Sequence, residues 1–213
     1  MILKSVYERS KTLYRVHGDN VIRRRMNYRK ENDIQKYTKM LKEDFGNMCG
    51  YCGKDFNIIK SPYQKDHLIP QNIAKRVGRL DLLTDYNNLV YSCRVCNRNK
   101  WDNWPFDNVN KMHDDKVGFV DPATDEFDEH LMRDKNGRIV PKTQVGKYMY
   151  KVFNFSNRLT EVWWKLSEIS KEINEIDKML EKEETVEGLR QYWILHRQFD
   201  SFLESLKEVN ESI

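Results

Sequence analysis

The sequence contains no long hydrophobic run. A helix that crosses a bilayer needs about 20 predominantly apolar residues, and no stretch of this chain approaches that composition. The first residues also lack the apolar segment and small-residue cleavage site of a secretory signal. We therefore expect a cytoplasmic protein that does not interact with a membrane.

Cysteine is scarce as well, with four among the 213 residues. In a reducing compartment, cysteines bind metals more often than they form disulfides. The sequence has no internal repeat, and its aromatic content of 12% argues against general disorder. Its length is enough for one compact domain with an accessory element, but not for two large domains.

The net charge of +4 is unevenly distributed along the chain. Residues 1–43 contain twelve Lys or Arg against five Asp or Glu, whereas residues 158–213 contain eight against thirteen. The densest basic cluster is residues 23–25. A basic segment can follow a phosphate backbone, but an ordinary solvated helix explains the same charges equally well.

The first part of the chain, residues 1–45, is predicted as a basic and mostly helical segment. Apolar side chains recur there at helical spacing, at Ile34, Tyr37, Met40 and Leu41. We expect this face to pack against the central part of the protein.

Residues 46–157 form the predicted central domain, with short strands expected near 117–120 and 138–140. Residues 158–213 are predicted as two amphipathic helices separated by a charged break at 181–184. Helices joined in this way favour an antiparallel hairpin. The hairpin either packs on its own domain or provides a surface for a partner or a second copy of the chain.

All four cysteines lie in two Cys-x-x-Cys knuckles, Cys49–Cys52 and Cys93–Cys96. Each knuckle can direct two thiolates to one ion, and two knuckles complete the tetrahedral sulfur shell of a structural Zn²⁺. Such a site has no open position for water, so we expect it to stabilise the fold. The interval between the knuckles is long, which indicates an inserted element.

The inserted element contains the pair Asp66-His67, at the end of a short β-type stretch and before Pro70. In an extended chain the two side chains point to opposite sides. One of them can hold a cation while the other faces a different partner. Hydrolysis of a phosphodiester needs this division, because oxygen ligands hold a hard divalent cation and a neutral histidine accepts the proton of the attacking water.

From Cys49 to Lys100 the sequence resembles the HNH, or ββα-metal, endonucleases. The shared pattern is, in order, Cys-x-x-Cys, Asp66-His67-x-Ile-Pro, Asn88-Leu, and Cys-x-x-Cys-Asn97-x-x-Lys. The family implies an α+β fold in which a β-hairpin and a following helix surround one catalytic metal. The cysteines match the zinc-clasped branch of that family.

The resemblance also implies roles for individual residues. Asp66 and Asn97 would bind the catalytic metal, and His67 would be the general base. Asn88 would brace the loop and orient the histidine, with Asn87 as a second choice for that position. Many family members have histidine where this chain has Asn97, and an oxygen ligand there favours Mg²⁺, or Mn²⁺, over softer metals.

Several further residues near these motifs have open interpretations. Lys100 would lie near substrate phosphate or brace the fold, and Arg98 and Arg94 are candidates for phosphate binding. The aromatic run at 101–106 is expected to cover the zinc core, although such a run can also stack on bases. We expect His113 and His130 to be surface or turn residues and not ligands.

The resemblance implies an endonuclease, and double-stranded DNA with little sequence preference is the expected substrate, because no sequence-reading module is recognisable. The layout also resembles stand-alone HNH proteins of bacterial antiphage systems, such as the nuclease subunit of Septu, which pairs with an ATPase, and retron-associated nucleases. That resemblance implies control by an ATPase partner. The alternatives are a zinc-stabilised nucleic-acid-binding protein without catalysis and an adaptor centred on the C-terminal hairpin.

Overall fold

Five short strands and seven α-helices form in residues 13–210, the part of the chain that the computed structural model describes. The strands are β1 (Tyr14–Arg15), β2 (Tyr63–His67), β3 (Leu89–Cys93), β4 (Leu131–Arg133) and β5 (Ile139–Pro141). The helices are α1 (Thr38–Asp44), α2 (Gln71–Arg76), α3 (Arg94–Lys100), α4 (Phe127–His130), α5 (Gln144–Val152), α6 (Thr160–Leu180) and α7 (Val186–Asn210). The expected α+β class is confirmed. None of these helices combines the length and the apolar character that a membrane crossing requires.

A β-hairpin followed by a short helix occupies the centre of the fold. Strand β2 pairs antiparallel with β3, which places His67 opposite Leu89 and Tyr63 opposite Cys93. Strand β3 is buried along its whole length, as its continuous apolar sequence favours. Helix α3 begins directly after it, because the Cys93 side chain caps the helix by accepting a hydrogen bond from the Cys96 amide. This is the ββα arrangement that the resemblance implied.

A second sheet, with strand order β1-β4-β5, connects the N-terminal segment to the C-terminal part of the chain. Arg133 in β4 is fully buried beside this sheet. Its guanidinium donates hydrogen bonds of 2.6–3.0 Å to the carbonyls of Val16, Cys52, Gly137 and Thr160. Burial lowers the pKa of Arg133 to about 10, so the side chain stays charged at neutral pH and holds four separate segments together.

One of the two predicted short strands is confirmed. The strand expected near 138–140 is β5, which pairs with β4. Residues 117–120 form only an isolated bridge, in which Gly118 pairs with His113. Gly118 has a φ of 128°, which lies outside the strand region and prevents a regular ladder from continuing there.

The described part of the N-terminal segment, residues 13–45, is less helical than the sequence predicted. It contains helix from the 3₁₀ turn Ile34–Tyr37 through α1, and residues 16–33 run without helix. Tyr37 and Leu41 are buried, so the predicted apolar face does pack against the centre. The first twelve residues of the predicted segment lie outside the described residues.

The basic cluster at residues 23–25 explains the extended course of this segment. Arg24 donates hydrogen bonds to the carbonyl of Leu89 at 2.8 and 3.0 Å and forms an ion pair with Asp121 at 2.5 Å. Arg25 pairs with Asp44, and Arg23 pairs with Asp125 and donates to the carbonyl of Ala123. Arg24 is held inside the protein, whereas Arg23 pairs with Asp125 at the surface. The cluster thus secures the segment to the core chiefly through Arg24.

Helices α6 and α7 form the expected hairpin around the break at 181–185. Helix α6 buries Val162, Leu166, Ile169 and Ile176, which lie at the helical spacing of the predicted amphipathic helix. At its N-terminal end the helix also packs on the central domain through Trp164. The indole lies so close to Gly137 that a Cβ at this glycine would stand 2.5 Å from the ring, and the guanidinium of Arg133 lies 4.9 Å from the ring centroid.

Replacement of Arg133 tests its connecting role. We expect Arg133→Met to lower the free energy of unfolding by about 3 kcal/mol or more, because each buried carbonyl left without a donor costs about 1–3 kcal/mol. The measurement is urea denaturation followed by circular dichroism.

Arg138→Met is the matched control, since Arg138 lies in the same hairpin and is largely exposed in an ion pair with Glu161. We expect a change below about 1 kcal/mol for it. Equal midpoints for the two variants would contradict the proposed role of Arg133.

Candidate active site and cysteine cluster

The four cysteines converge in a buried cluster. Their sulfur atoms all lie within 4.8 Å of one another, and Sγ of Cys52 and Sγ of Cys93 are 3.9 Å apart. The amides of Cys93 and Cys96 donate hydrogen bonds to Cys49 Sγ and Cys93 Sγ at 3.3 and 3.4 Å. Four thiols in this arrangement match the tetrahedral sulfur shell that Zn²⁺ accepts. The donor set therefore fits zinc.

Arg158, between α5 and α6, places its guanidinium against this cluster. The Nη1 atom lies 3.0 Å from Cys96 Sγ, and Nη2 lies 3.6 Å from the sulfurs of both Cys52 and Cys93. Burial alone would lower the pKa of Arg158, but the thiolates of Cys96, Cys52 and Cys93 raise it above its ordinary value. A four-thiolate zinc centre would carry a net negative charge, and this guanidinium would compensate it.

His67, at the end of β2, is oriented by two neighbours. Its Nε2 lies 2.9 Å from the carbonyl oxygen of Leu83, and its Nδ1 lies 3.1 Å from Nε2 of Gln71. A carbonyl only accepts, so Nε2 carries the proton and Nδ1 presents its lone pair. Burial lowers the pKa of His67, which favours the neutral imidazole. The side chain is thus prepared to accept a proton at Nδ1.

Asp66 is held by two buried partners, Tyr51 and Lys100. Its Oδ2 accepts a hydrogen bond from the Tyr51 hydroxyl at 2.6 Å and lies 3.2 Å from Nζ of Lys100. The same ammonium donates to the carbonyl of His67 at 2.7 Å. Burial raises the pKa of Asp66, and the adjacent Lys100 and Tyr51 oppose that shift. Lys100 therefore offsets part of the effect of burial on Asp66 and fixes the backbone of the Asp66-His67 pair.

Asn97 lies one turn into α3, where its Nδ2 donates to Oε1 of Gln64 at 2.6 Å. Asn97, Asp66 and His67 line one open cleft of about 460 Å³. The other side chains around that cleft are Lys65, Pro70, Gln71, Asn72, Lys75, Trp101 and Asp102. The structure thus brings three of the four predicted catalytic residues to a single cleft.

Asn88, the fourth predicted residue, lies behind this cleft. Its Oδ1 accepts from the amide of Ile69 at 2.8 Å, and its Nδ2 donates to the carbonyls of Ile69 and Leu82 at 3.1 and 3.0 Å. These bonds connect the loop after His67 to the turn that contains Leu82. The carbonyl of the next residue, Leu83, orients the imidazole of His67. Asn87 is exposed instead, so Asn88 has the placement that a bracing residue needs.

The predicted cationic residues differ in their access to solvent. Arg98 and Arg94 are exposed, and Lys65 and Lys75 line the cleft. Lys100 is fully buried, so its ammonium does not reach a phosphate at the surface. Of its two expected roles, this placement favours bracing over phosphate binding.

The two tryptophans of the aromatic run at 101–106 differ in their placement: one is buried in the core and the other is exposed at the cleft. Trp104 is buried and stacks on Phe119 with ring centroids 6.0 Å apart, as expected of a core-covering residue. Trp101 is 70% exposed and lines the cleft, which differs from the expectation for the run as a whole. Its indole is available to a bound base or sugar.

Three contacts at the site were missed by the sequence analysis. Gln71 follows His67 by four residues, a spacing that gives only a weak signal of contact across the proline turn. Tyr51 lies between two knuckle cysteines, but nothing local indicates that its hydroxyl reaches Asp66. Arg158 is separated by 62 residues from Cys96, and no local pattern points to it.

Removal of the Arg158 charge tests its link to the cysteine cluster. We expect Arg158→Leu to weaken zinc retention by roughly 10–100-fold, the usual effect of losing a group that supports metal ligands. The measurement is the equilibrium loss of zinc to a chromophoric chelator.

Arg94→Leu is the control variant, because Arg94 lies between two knuckle cysteines and is exposed. It should keep zinc as the unmodified protein does. Identical chelator curves for Arg158→Leu and Arg94→Leu would refute the role of Arg158.

Comparison with known proteins bears on the same central segment. The family model described as HNH endonuclease matches residues 49–103. The Septu protein PtuB of Bacillus mycoides (strain KBAB4) is 28% identical over 194 residues, which cover 82% of this chain and 62% of that protein. The chain thus matches less than two thirds of the length of this curated relative. No solved structure gave a significant match. Residues 49–103, which contain the cysteine cluster, the β2–β3 hairpin and α3, are therefore similar to HNH endonucleases, and we call them the HNH segment.

Proposed function

We propose that the protein is a metal-dependent endonuclease that hydrolyses phosphodiester bonds in double-stranded DNA with little sequence preference. The observation that carries this proposal is the cleft shared by His67, Asp66 and Asn97. A proton-accepting imidazole nitrogen and two oxygen donors meet there, and metal-assisted hydrolysis of a phosphodiester requires both.

Asp66 and Asn97 would hold the catalytic cation. The contacts found among the described residues occupy Oδ2 of Asp66 and Nδ2 of Asn97, so the Oδ1 atom of each side chain remains for an ion. Two oxygen donors suit Mg²⁺, or Mn²⁺, better than softer metals. When bound, such an ion offsets the negative charge on the phosphate and on the leaving oxygen.

His67 would act as the general base. The carbonyl of Leu83 holds the proton on Nε2, so Nδ1 takes the proton of the attacking water. Gln71 currently donates to that nitrogen and would turn its amide towards the water when substrate enters. Once protonated, the imidazolium remains hydrogen-bonded to Leu83 and is attracted by the charge of Asp66. Asn88 would act as a positioning residue through the loop it braces.

The surroundings of the cleft suit a nucleic acid bound without sequence readout. Lys65 and Lys75 line it, and the exposed Arg98 in α3 is a further candidate to contact the backbone. Contacts of this kind neutralise phosphates and carry no base information. The exposed indole of Trp101 can stack on a base of any identity.

The similarity to the Septu protein PtuB supports a role in bacterial antiphage defence. We infer that an ATPase subunit controls the nuclease, since unrestrained cleavage of DNA would damage the cell that makes it. Helix α7 offers a candidate contact surface, because Val186, Trp193 and Ile194 are exposed along it.

A second candidate function is a zinc-stabilised nucleic-acid-binding or adaptor protein without catalysis. The ion pair between Asp66 and Lys100 favours this alternative. A carboxylate that the protein already neutralises attracts a cation less strongly than a free one. The alternative predicts nucleic-acid binding that is indifferent to the loss of His67.

Plasmid cleavage with Mg²⁺ or Mn²⁺ tests the catalytic proposal. We expect His67→Ala to reduce the cleavage rate by roughly 10²–10⁴-fold, because the variant lacks the general base. Zinc content, measured first, verifies that the variant is folded.

His196→Ala is the matched control, since His196 lies in α7 and not around the cleft. It should cleave at the unmodified rate. Equal activity of the His67 variant and the control would overturn the assignment of the base. DNA binding without cleavage in all three proteins, including in the presence of the partner, would support the alternative function.

Affinity purification from the native host tests the proposed partner. We expect an ATPase to co-purify with the tagged full-length chain in a near-stoichiometric amount, as identified by mass spectrometry. The double variant Trp193→Ser/Ile194→Ser should lose this subunit, whereas Met26→Ser, at a methionine that is 94% exposed elsewhere, should keep it. Purification of the unmodified chain without any ATPase would contradict the proposal.

A further inference from the structure

Three potential metal ligands converge outside the cleft and the cysteine cluster. His113, Glu126 and His130 each offer one ligand atom, and these atoms lie within 4.8 Å of one another. Nε2 of His113 is 2.7 Å from Oε1 of Glu126, and Nε2 of His130 is 3.6 Å from the same oxygen. We expected both histidines to be surface or turn residues. His113 does lie in a turn, whereas His130 is buried.

The backbone holds His113 in this place. Its isolated bridge with Gly118 closes a tight hairpin, which the hydrogen bond from the Phe119 amide to the Met112 carbonyl, at 2.9 Å, completes. A Cβ at Gly118 would stand 2.3 Å from that carbonyl oxygen, so the approach requires glycine. The imidazole is therefore carried by a constrained turn and not by a free loop.

His130 is fixed through its other ring nitrogen. Its Nδ1 lies 2.6 Å from Oγ1 of Thr143, the residue that caps α5. The carbonyl of His130 accepts from the amide of Lys142 at 2.8 Å, and the residue is buried. A hydrogen bond to the nitrogen that does not bind the ion is the usual support of a metal-ligating histidine. It directs Nε2 towards Glu126.

Glu126 completes the set from the same chain segment. Glu126 is the N-cap of α4 and His130 is its last residue, four positions later, so the two side chains lie on one face of this short helix. Its side chain is 46% exposed, and the carboxylate already contacts both imidazoles. In a tetrahedral site with bonds of about 2.0–2.1 Å, neighbouring ligand atoms lie about 3.4 Å apart. The two observed separations bracket that value.

The environment of Nδ1 of His113 also suits a ligand. This atom is buried and has no hydrogen-bond partner among the described residues. The carboxylate of Asp115 lies 4.0 Å away, within reach of a small movement. An ion at Nε2 would place the ring proton on Nδ1, where Asp115 can accept it.

We propose that His113, Glu126 and His130 bind a divalent transition-metal ion, with Zn²⁺ as the expected occupant. Two imidazoles and one carboxylate are the ligand set that zinc accepts when one coordination position stays open. Glu126 also lines a cavity of about 330 Å³ that contains Asn88, Ile69 and Met112. This cavity lies beside the loop that Asn88 braces.

Metal content per chain tests this proposal without reference to nuclease activity. The full-length protein is equilibrated with a small excess of Zn²⁺, passed through a desalting column and analysed by elemental mass spectrometry. We expect two zinc ions per chain for the unmodified protein and one for His113→Gln or Glu126→Gln. The control His196→Gln should retain two.

Substitution of cobalt identifies which site each variant has lost. Co²⁺ bound by the cysteines gives a sulfur-to-metal charge-transfer absorption, whereas Co²⁺ bound by His113, Glu126 and His130 gives only weak ligand-field bands. We expect the charge-transfer absorption to persist in both variants, which also establishes that they fold, and the second set of bands to disappear. One zinc ion per unmodified chain, or two in His113→Gln and Glu126→Gln, would overturn the proposal.

Discussion

Two buried guanidinium groups determine how the rest of the chain is held to the HNH segment. A charged group removed from water is tolerated only where the protein supplies compensating partners. Arg133 has four carbonyls, one of them in the first cysteine knuckle. Arg158 has three cysteine sulfurs. Both arginines lie beyond residue 103, so the C-terminal half of the chain completes the electrostatic environment of a cluster whose ligands all come from the HNH segment.

A similar dependence operates within the HNH segment itself. Lys100 is fully buried in α3, and its ammonium joins the carboxylate of Asp66 to the carbonyl of His67. Removal of either charge would leave the other one buried without compensation. The pair of residues that carries the proposed chemistry is therefore fixed by the helix that follows the hairpin. Its geometry depends on how β3 continues into α3 at Cys93.

The parts of the fold that could be predicted are those in which local spacing carries the information. The two knuckles and the Asp66-His67 pair lie in short motifs, and the amphipathic stripe of α6 repeats at a regular interval. The extended course of residues 16–33 depends on partners of Arg24 that lie 65 and 97 positions away. Local helical spacing gives no signal of them. The contact of Arg158 with Cys96 could not be predicted for the same reason, because the two residues are 62 positions apart.

The cluster of His113, Glu126 and His130 could not be predicted from the sequence for a related reason. The hairpin that brings His113 to the other two residues depends on the backbone of Gly118, and no local pattern around His113 indicates it. The choice between Asn88 and Asn87, in contrast, could be made from the local sequence. Their neighbourhood in the sequence favoured Asn88 because it precedes Leu89, and the hydrogen bonds of its amide to Ile69 and Leu82 agree with that choice.

Trp101 illustrates a conflict between local conformation and the use of a side chain. It follows α3 with a φ of 42° and a ψ of −128°, a region that a residue with a Cβ enters at a cost of about 1–3 kcal/mol. Glycine would adopt it without strain. The indole nevertheless stands exposed at the cleft. Selection for thermal stability alone would favour glycine at this position. Selection for substrate retention would keep the aromatic ring. The two pressures would therefore move an evolving population in opposite directions.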